Sequence, residues 1–203
     1  MEGIVELKEQ FGGLHNFLLN KEQLEQADSL FIGIDSGFAK SSLVILDEQG
    51  NLVCVSGFIT APTQKKYNHL LPHTAQSRVK GSYNWLNYWL NETIASRIPT
   101  YTAIEGLSYG SAGNQTRNLA MIFGVYTLIL PENYQTYTPQ SIKKYATGSG
   151  SAKKEQMFNS CPIQKLLIED MKMTKSGLLY DAVDAYFIAK KVKYETLKGG
   201  VIT

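Results

Sequence analysis

Cysteine and histidine are scarce in this 203-residue chain, and each shortage removes a class of chemistry. Cys54 and Cys161 are its two cysteines, too few for a disulfide framework, and they read as structural thiols of a reducing compartment. His15, His69 and His73 lack metal-ligand spacing to one another or to the cysteines. Pro72 lies between the last two and argues against a shared helix face, so a zinc site is not expected and all three are read as surface or loop residues. Long apolar runs are missing as well. The longest, Leu119 to Leu130, is too short to span a bilayer and reads as a buried helix. The acidic first residues do not show a basic region followed by an apolar run, so no secretory signal is read there, and the expectation is a cytoplasmic protein without membrane contact.

What is present is ordinary in amount and uneven in placement. Hydrophobic residues make up 43% and charged residues 19%, typical of a globular domain that can bury a sizeable core. The net charge is only +2, yet residues 1–28 carry two lysines against six acids and residues 140–203 carry eleven lysines against six acids. A positive carboxy-terminal third suits a polyanionic partner, although a solvated lysine face gives the same count.

Residues 4–26 show helical spacing with a Gly12-Gly13 break, which predicts two short helices in an extension covering residues 1–28. The remainder, 29–203, reads as one domain. Strands are expected over 30–35, 41–47 and 51–58, the last two joined by the polar turn Asp47 to Asn51. A loop at 61–75 leads to a helix over 76–97, ended by Pro99. Strand 101–105, helix 115–130, strand 134–138, a helix opening at Pro139, another over 152–160 and a last one over 178–195 complete the order.

Four carboxylates stand at the edges of these elements. Asp35 closes the first strand, Glu105 closes the fourth, and Asp181 and Asp184 lie one turn apart at the start of the last helix, on one face. Carboxylates are seldom buried unless paired or bound to metal. Two of them about 4 Å apart repel by roughly 4 kcal/mol at an effective dielectric of about 20, so a convergent set calls for a cation. Taken singly, Asp35 is equally well a turn residue before Ser36-Gly37, and Asp181 a charge favoured by the helix dipole. Nothing in the periodicity brings the four together.

FIGIDSG, AIEG, YTPQSIKKYATGSGSAKKEQM and DAVDAYFIA occur here in the order and approximate spacing of the RuvC-like Holliday-junction resolvases, and the chain resembles that family over about residues 30–192. The resemblance implies an RNase H-like α/β fold with a five-stranded mixed sheet in order 3-2-1-4-5, flanked by helices. It implies that Asp35, Glu105, Asp181 and Asp184 hold Mg2+, with Mn2+ as a substitute: Asp35 bridges, Glu105 and Asp184 flank it, and Asp181 is a ligand or near neighbour. Lys154 corresponds to a family lysine beside the scissile phosphate, and Lys143 and Lys144 to a basic helix facing DNA. Lys153 shares the helix start with Lys154, where backbone N–H groups favour phosphate. Each of these lysines is otherwise a solvated surface charge.

In the loop 106–114 small residues permit close backbone approach to DNA, and Tyr109 is placed to stack on a base. The family's wedge aromatic falls at Ser108, one residue earlier, so a plain buried or exposed tyrosine is an equal reading of Tyr109. Arg117 begins the following helix and is expected on the DNA backbone. The implied activity is metal-dependent resolution of four-way DNA junctions by paired, symmetric nicks that leave 5′-phosphates. The implied assembly is a homodimer joined partly through Asn118 to Tyr126.

Three other readings stay open on the residues. An RNase H-type or transposase-like nuclease shares the fold, but the K-x-x-T-G-x-G and D-x-x-D combination argues against both. GIDSG followed by Lys40 also occurs in actin-like and sugar-kinase ATPases, which need two related domains around a nucleotide. A catalytically silent junction-binding module lacks support, because all four acids are in place.

Overall fold

Three apolar runs in succession, each near the length of a mean strand, form the centre of the molecule. The computed structural model describes residues 4–10, 13–60, 74–93, 98–107, 114–175 and 177–199. Strand β1 is Ile4–Gln10, β2 Gly13–Leu19, β3 Leu30–Asp35, β4 Lys40–Asp47, β5 Leu52–Ile59, β6 Thr100–Glu105 and β7 Gln135–Tyr137. They make one seven-stranded sheet in the order β1-β2-β5-β4-β3-β6-β7. Strand β3 runs antiparallel to β4 and parallel to β6, and β7 lies parallel to β6 at the edge. The segment β5-β4-β3-β6-β7 reproduces the expected order 3-2-1-4-5 of an RNase H-like fold.

The helices are α1 Lys21–Gln26, α2 Ala75–Asn87, α3 Asn114–Thr127, α4 Pro139–Thr147, α5 Lys154–Ser160 and α6 Leu179–Gly199. Alpha-helix α2 widens into a π-helical stretch over Tyr88–Thr93, and a second π turn covers Leu166–Asp170. Helices cover both faces of the sheet, which explains the largely apolar character of β3, β4 and β5. On one face Leu30, Ile32, Ile34 and Leu43 pack with Trp85, Trp89 and Ile122. On the other, Phe31, Val44 and Val55 pack with Ala182, Ala185, Ile188 and Ala189 of α6. Gly33 lies beneath α6 with no room for a side chain. A Cβ there would stand 2.1 Å from the Ala185 carbonyl oxygen and 2.3 Å from the Ala189 nitrogen.

Three expectations are corrected. The amino-terminal segment holds a β-hairpin, with β1 paired to β2 and β2 paired to the outer edge of β5, so the sheet has seven strands where five were expected. In β2, Asn16 and Leu18 face the α6 side while Phe17 and Leu19 face the other. With both faces covered, Leu14, Phe17 and Leu18 are all at least half-buried, and their spacing imitates a helix. Among the described residues of this segment only Lys21–Gln26 are helical, capped by Asn20, whose side chain accepts from the Gln23 N–H at 3.2 Å.

His15 is not a surface residue. It is fully buried on β2, 2.8 Å from Ser56 Oγ, stacked on Phe17 and edge-on to Trp89. His69 and His73 fall outside the described residues. The run from Leu119 to Leu130 is buried on one side only: Ile122 and Tyr126 face the core, whereas Met121 is 37% and Leu128 82% exposed. Cys54 and Cys161 are buried free thiols, as read from the sequence.

Candidate active site

Strand register brings the first two acids together. Ile34 of β3 pairs with Ile104 of the parallel β6, so the next residues, Asp35 and Glu105, leave the sheet side by side at the same end. The β6–β7 ladder is extended there by the Gly106 N–H, which donates to the Tyr137 carbonyl at 2.8 Å. Helix α6 crosses this end with its amino terminus, and Asp181 and Asp184 project from its first two turns. A helix start is electrostatically suited to negative charge, so α6 tolerates the pair.

Helix α4 supplies the next wall. Thr138 caps it by accepting from the Ser141 N–H at 3.2 Å, Pro139 fills its first turn, and Gly148 ends it in the left-handed conformation with φ 81°. That positive φ is why the loop carries glycine. Helix α5 then opens with Lys154, its start fixed by the Lys153 N–H donating to Gln156 Oε1 at 2.8 Å. The result is a cavity of about 250 Å3 lined by the four acids together with Lys143, Lys154, Pro139 and Ile142.

The electrostatics of this cavity are unfavourable to the protein alone. Burial pushes the Asp35 carboxyl well above its usual range, and Glu105, Asp181 and Asp184 push it further, against the pull of Lys154. Burial, then Asp184, raises Glu105 to about 7, opposed by Lys154 and Lys143. Asp184 is raised by burial to about 6, and Asp181 is raised by burial against Lys40 and Lys154. Asp181 Oδ2 is buried without a hydrogen-bond partner. Desolvated carboxylates facing one another are the setting in which a cation is stabilising.

An oxygen-only donor set fits Mg2+. Among the described residues no group of three or more acidic, histidine or cysteine side chains is drawn together closely enough to hold a metal ion; the four acids ring an open cavity instead. Magnesium keeps several waters and takes only a few protein carboxylates, so an open ring suits it better than a closed cage.

The cavity thus gathers Asp35, Glu105, Asp181, Asp184, Lys143 and Lys154 from the residues expected on sequence. Lys144 and Lys153 are exposed and do not line it, and Arg117 is exposed on α3. Tyr109 lies outside the described residues. Two neighbours were not anticipated. Lys40 Nζ stands 3.7 Å from Asp181 Oδ2, and the Tyr180 ring lies 5.6 Å beneath the Lys154 ammonium. Lys40 was legible in principle, because the turn 36–39 returns it to the sheet end that carries Asp35. Glu155, in the first turn of α5, accepts from Lys175 at 2.7 Å and Tyr180 at 2.6 Å and does not line the cavity.

Sheet order and acid placement define an RNase H-like fold of the junction-resolvase type. The family model for Crossover junction endodeoxyribonuclease RuvC matches residues 31–190, and the chain belongs to that family. It is 28% identical over 132 residues to the Crossover junction endodeoxyribonuclease RuvC of Brachyspira hyodysenteriae, spanning 63% of this chain and 75% of that protein. To the protein of the same name from Chloroherpeton thalassium it is 32% identical over 105 residues, 49% of this chain and 52% of the relative. The fold matches T. thermophilus RuvC in complex with Holliday junction substrate, with a TM-score of 0.57 and 17% identity over 78% of this chain and 91% of that one. It also matches a Thermus thermophilus RuvC structure with a TM-score of 0.56 and 18% identity, over 83% of this chain and 96% of the other. The hairpin β1–β2 lies outside the family match.

Proposed function

We propose that the protein is a Mg2+-dependent endonuclease that resolves four-way DNA junctions by paired, symmetric nicks, leaving 5′-phosphates and 3′-hydroxyls. One observation carries the reading: four half-buried, mutually repelling carboxylates and two lysines share a single cavity at the β3–β6 sheet end. Family membership and the junction complex of the Thermus relative support the choice of substrate.

Asp35, Glu105 and Asp184 would hold the cations, with Asp181 beside them. When bound, a pair of divalent cations supplies activation of the attacking water and stabilisation of the leaving 3′ oxygen. Lys154 lines the cavity and offers its ammonium to a non-bridging oxygen of the scissile phosphate. Lys143, also in the wall, meets the same phosphate or the next one. Lys144 and Lys153, exposed on either side of the Gly148–Gly150 turn, extend the positive surface along the DNA backbone.

Two opposed nicks require two active sites facing one junction, hence a twofold dimer. The exposed side of α3 at Met121, 37% exposed, together with Leu128 in the turn that follows, 82% exposed, is the apolar surface we assign to that contact. No described helix is long and apolar enough to cross a membrane.

The test is incubation of the full chain with labelled four-way junctions, forks, flaps and linear duplex in Mg2+. Cuts at symmetric positions in opposed junction strands are expected, with duplex left intact. Asp35→Asn should abolish cutting while junction binding persists, because the lysines and the fold remain. Equal cutting of every substrate, or wild-type rates from Asp35→Asn, would discard the proposal.

A further inference from the structure

Lys40 enters the acidic cavity's surroundings from a side that the D-x-x-D pair and the basic loop do not explain. It is the first residue of β4, and the pairing of Asp35 with Ser42 places it just past the end of β3. The turn between the strands is firmly built. Ser41 Oγ donates to the Gly37 carbonyl at 3.1 Å and accepts from the Gly37 N–H at 3.2 Å, and Tyr126 OH donates to the same Oγ at 2.8 Å. That bracing fixes the backbone from which the Lys40 side chain leaves.

Its ammonium reaches two groups of the opposite element. It donates to the Gly177 carbonyl at 2.7 Å and stands 3.7 Å from Asp181 Oδ2. The pair is mostly out of solvent, with side-chain exposures of 26% and 16%. Gly177 closes the turn that starts α6: its N–H donates to the Thr174 carbonyl at 2.9 Å, and the Leu179 N–H donates to the same oxygen at 3.2 Å. One side chain therefore ties the sheet to the turn that sets where α6 begins, and supplies positive charge to the first of the two helix carboxylates.

We propose that Lys40 is a positioning residue of the nuclease site, which anchors the start of α6 and holds Asp181 as an ion-paired neighbour, leaving Asp35, Glu105 and Asp184 as the cation's carboxylates. The inference rests on the metal-dependent reading above and deepens it. A fixed ammonium beside Asp181 lowers the repulsion within the cluster and keeps that carboxylate from swinging onto the cation.

Removing the ammonium has two opposite consequences. The cavity gains uncompensated negative charge, which strengthens cation binding, while α6 loses its anchor and the acids lose their alignment, which slows cleavage. A purely structural lysine would weaken both together. The experiment measures Mn2+ binding to the DNA-free full-length protein by calorimetry, and single-turnover cleavage of a labelled four-way junction at saturating Mg2+. Lys40→Met should bind Mn2+ about threefold more tightly, from the added local charge, and cut about tenfold more slowly, from lost alignment. Lys40→Arg should return both values towards wild type. In an Asp181→Asn background the Lys40→Met change should tighten Mn2+ binding less than in the wild type, since no freed carboxylate remains to turn onto the cation.

Unchanged Mn2+ affinity and unchanged cleavage in Lys40→Met overturn the inference while leaving the nuclease reading intact. Parallel loss of Mn2+ binding, cleavage and thermal stability in Lys40→Met, not rescued by arginine, also overturns it. A wild-type protein that neither binds Mn2+ nor cuts any junction removes the nuclease reading, and the role of Lys40 with it.

Discussion

Lys154 and Lys143 line the cavity, whereas their sequence neighbours Lys153 and Lys144 do not, and this contrast divides the lysines by role. Adjacent helix positions point about 100° apart, so one lysine of a Lys-Lys pair at a helix end can face a cleft while the other meets solvent. Lys154 is further oriented by the Tyr180 ring at 5.6 Å, and Tyr180 is itself fixed by its hydroxyl donating to Glu155 at 2.6 Å. Lys154→Ala is expected to slow cleavage by about a hundredfold, as loss of a charge-assisted contact to the reacting phosphate. It should also reduce the salt dependence of junction binding by about one unit of slope. Lys144→Ala should change only the salt dependence, with the single-turnover rate close to wild type. Single-turnover cleavage and binding titrations across a salt series measure both effects, and a slow Lys144→Ala enzyme would contradict the assignment. The family resemblance already singled out Lys154 as the lysine expected beside the scissile phosphate. The sequence held no information on Tyr180, because the approach of α5 to the start of α6 is a tertiary event.

The contact between β3 and α6 decides where the acids meet. Gly33 lets α6 lie against the strand, and α6 in turn brings Asp181 and Asp184 to the end of β3 where Asp35 emerges. Gly33→Ala places a methyl group against main-chain atoms that cannot rotate away, so the helix must lift. Overpacking of this kind costs about 1–3 kcal/mol and more where backbone is the obstacle. The expected result is a fall in denaturation midpoint accompanied by loss of cleavage, read by urea titration and junction assay; full activity at wild-type stability would mean that α6 packs elsewhere. The strands from β3 onward were legible because turn residues and prolines bracket them, and Asp35 and Glu105 because they end two of those strands. The hairpin was not, since β2 is covered on both faces and its apolar spacing fits a helix as well as a strand. Strand pairing with β5 settles the matter, and that partner lies far along the chain. Helix α3 was legible as a helix but not as a half-exposed one, because an apolar run reads alike whether its outer side meets core or a second subunit.

The summed effect of the acidic cavity should appear in the stability of the whole protein. Glu105 is raised to about 7 and Asp184 to about 6, and Asp35 and Asp181 are raised as well. For each of these groups the folded state holds its proton to a higher pH than the unfolded chain, whose carboxylates titrate near 4. Between those limits the native protein carries more bound protons, so unfolding free energy declines as pH rises. Glu155, lowered by Lys175 and Tyr180, has the opposite sign, but its change falls below the usual carboxylate range and outside this window. In EDTA the Tm should therefore be lower at about pH 8 than at about pH 5. Mg2+, which is taken by deprotonated carboxylates, should raise Tm strongly at the higher pH and little at the lower one. Asp35→Asn removes one of the repelling charges, so at the higher pH in EDTA it should be more stable than wild type while failing to cut, as expected of a site in which function is set against stability. Differential scanning calorimetry of both proteins, with and without Mg2+, checks this. A wild-type Tm in EDTA that holds level or climbs from the lower pH to the higher would mean that the four carboxylates do not share one desolvated cavity.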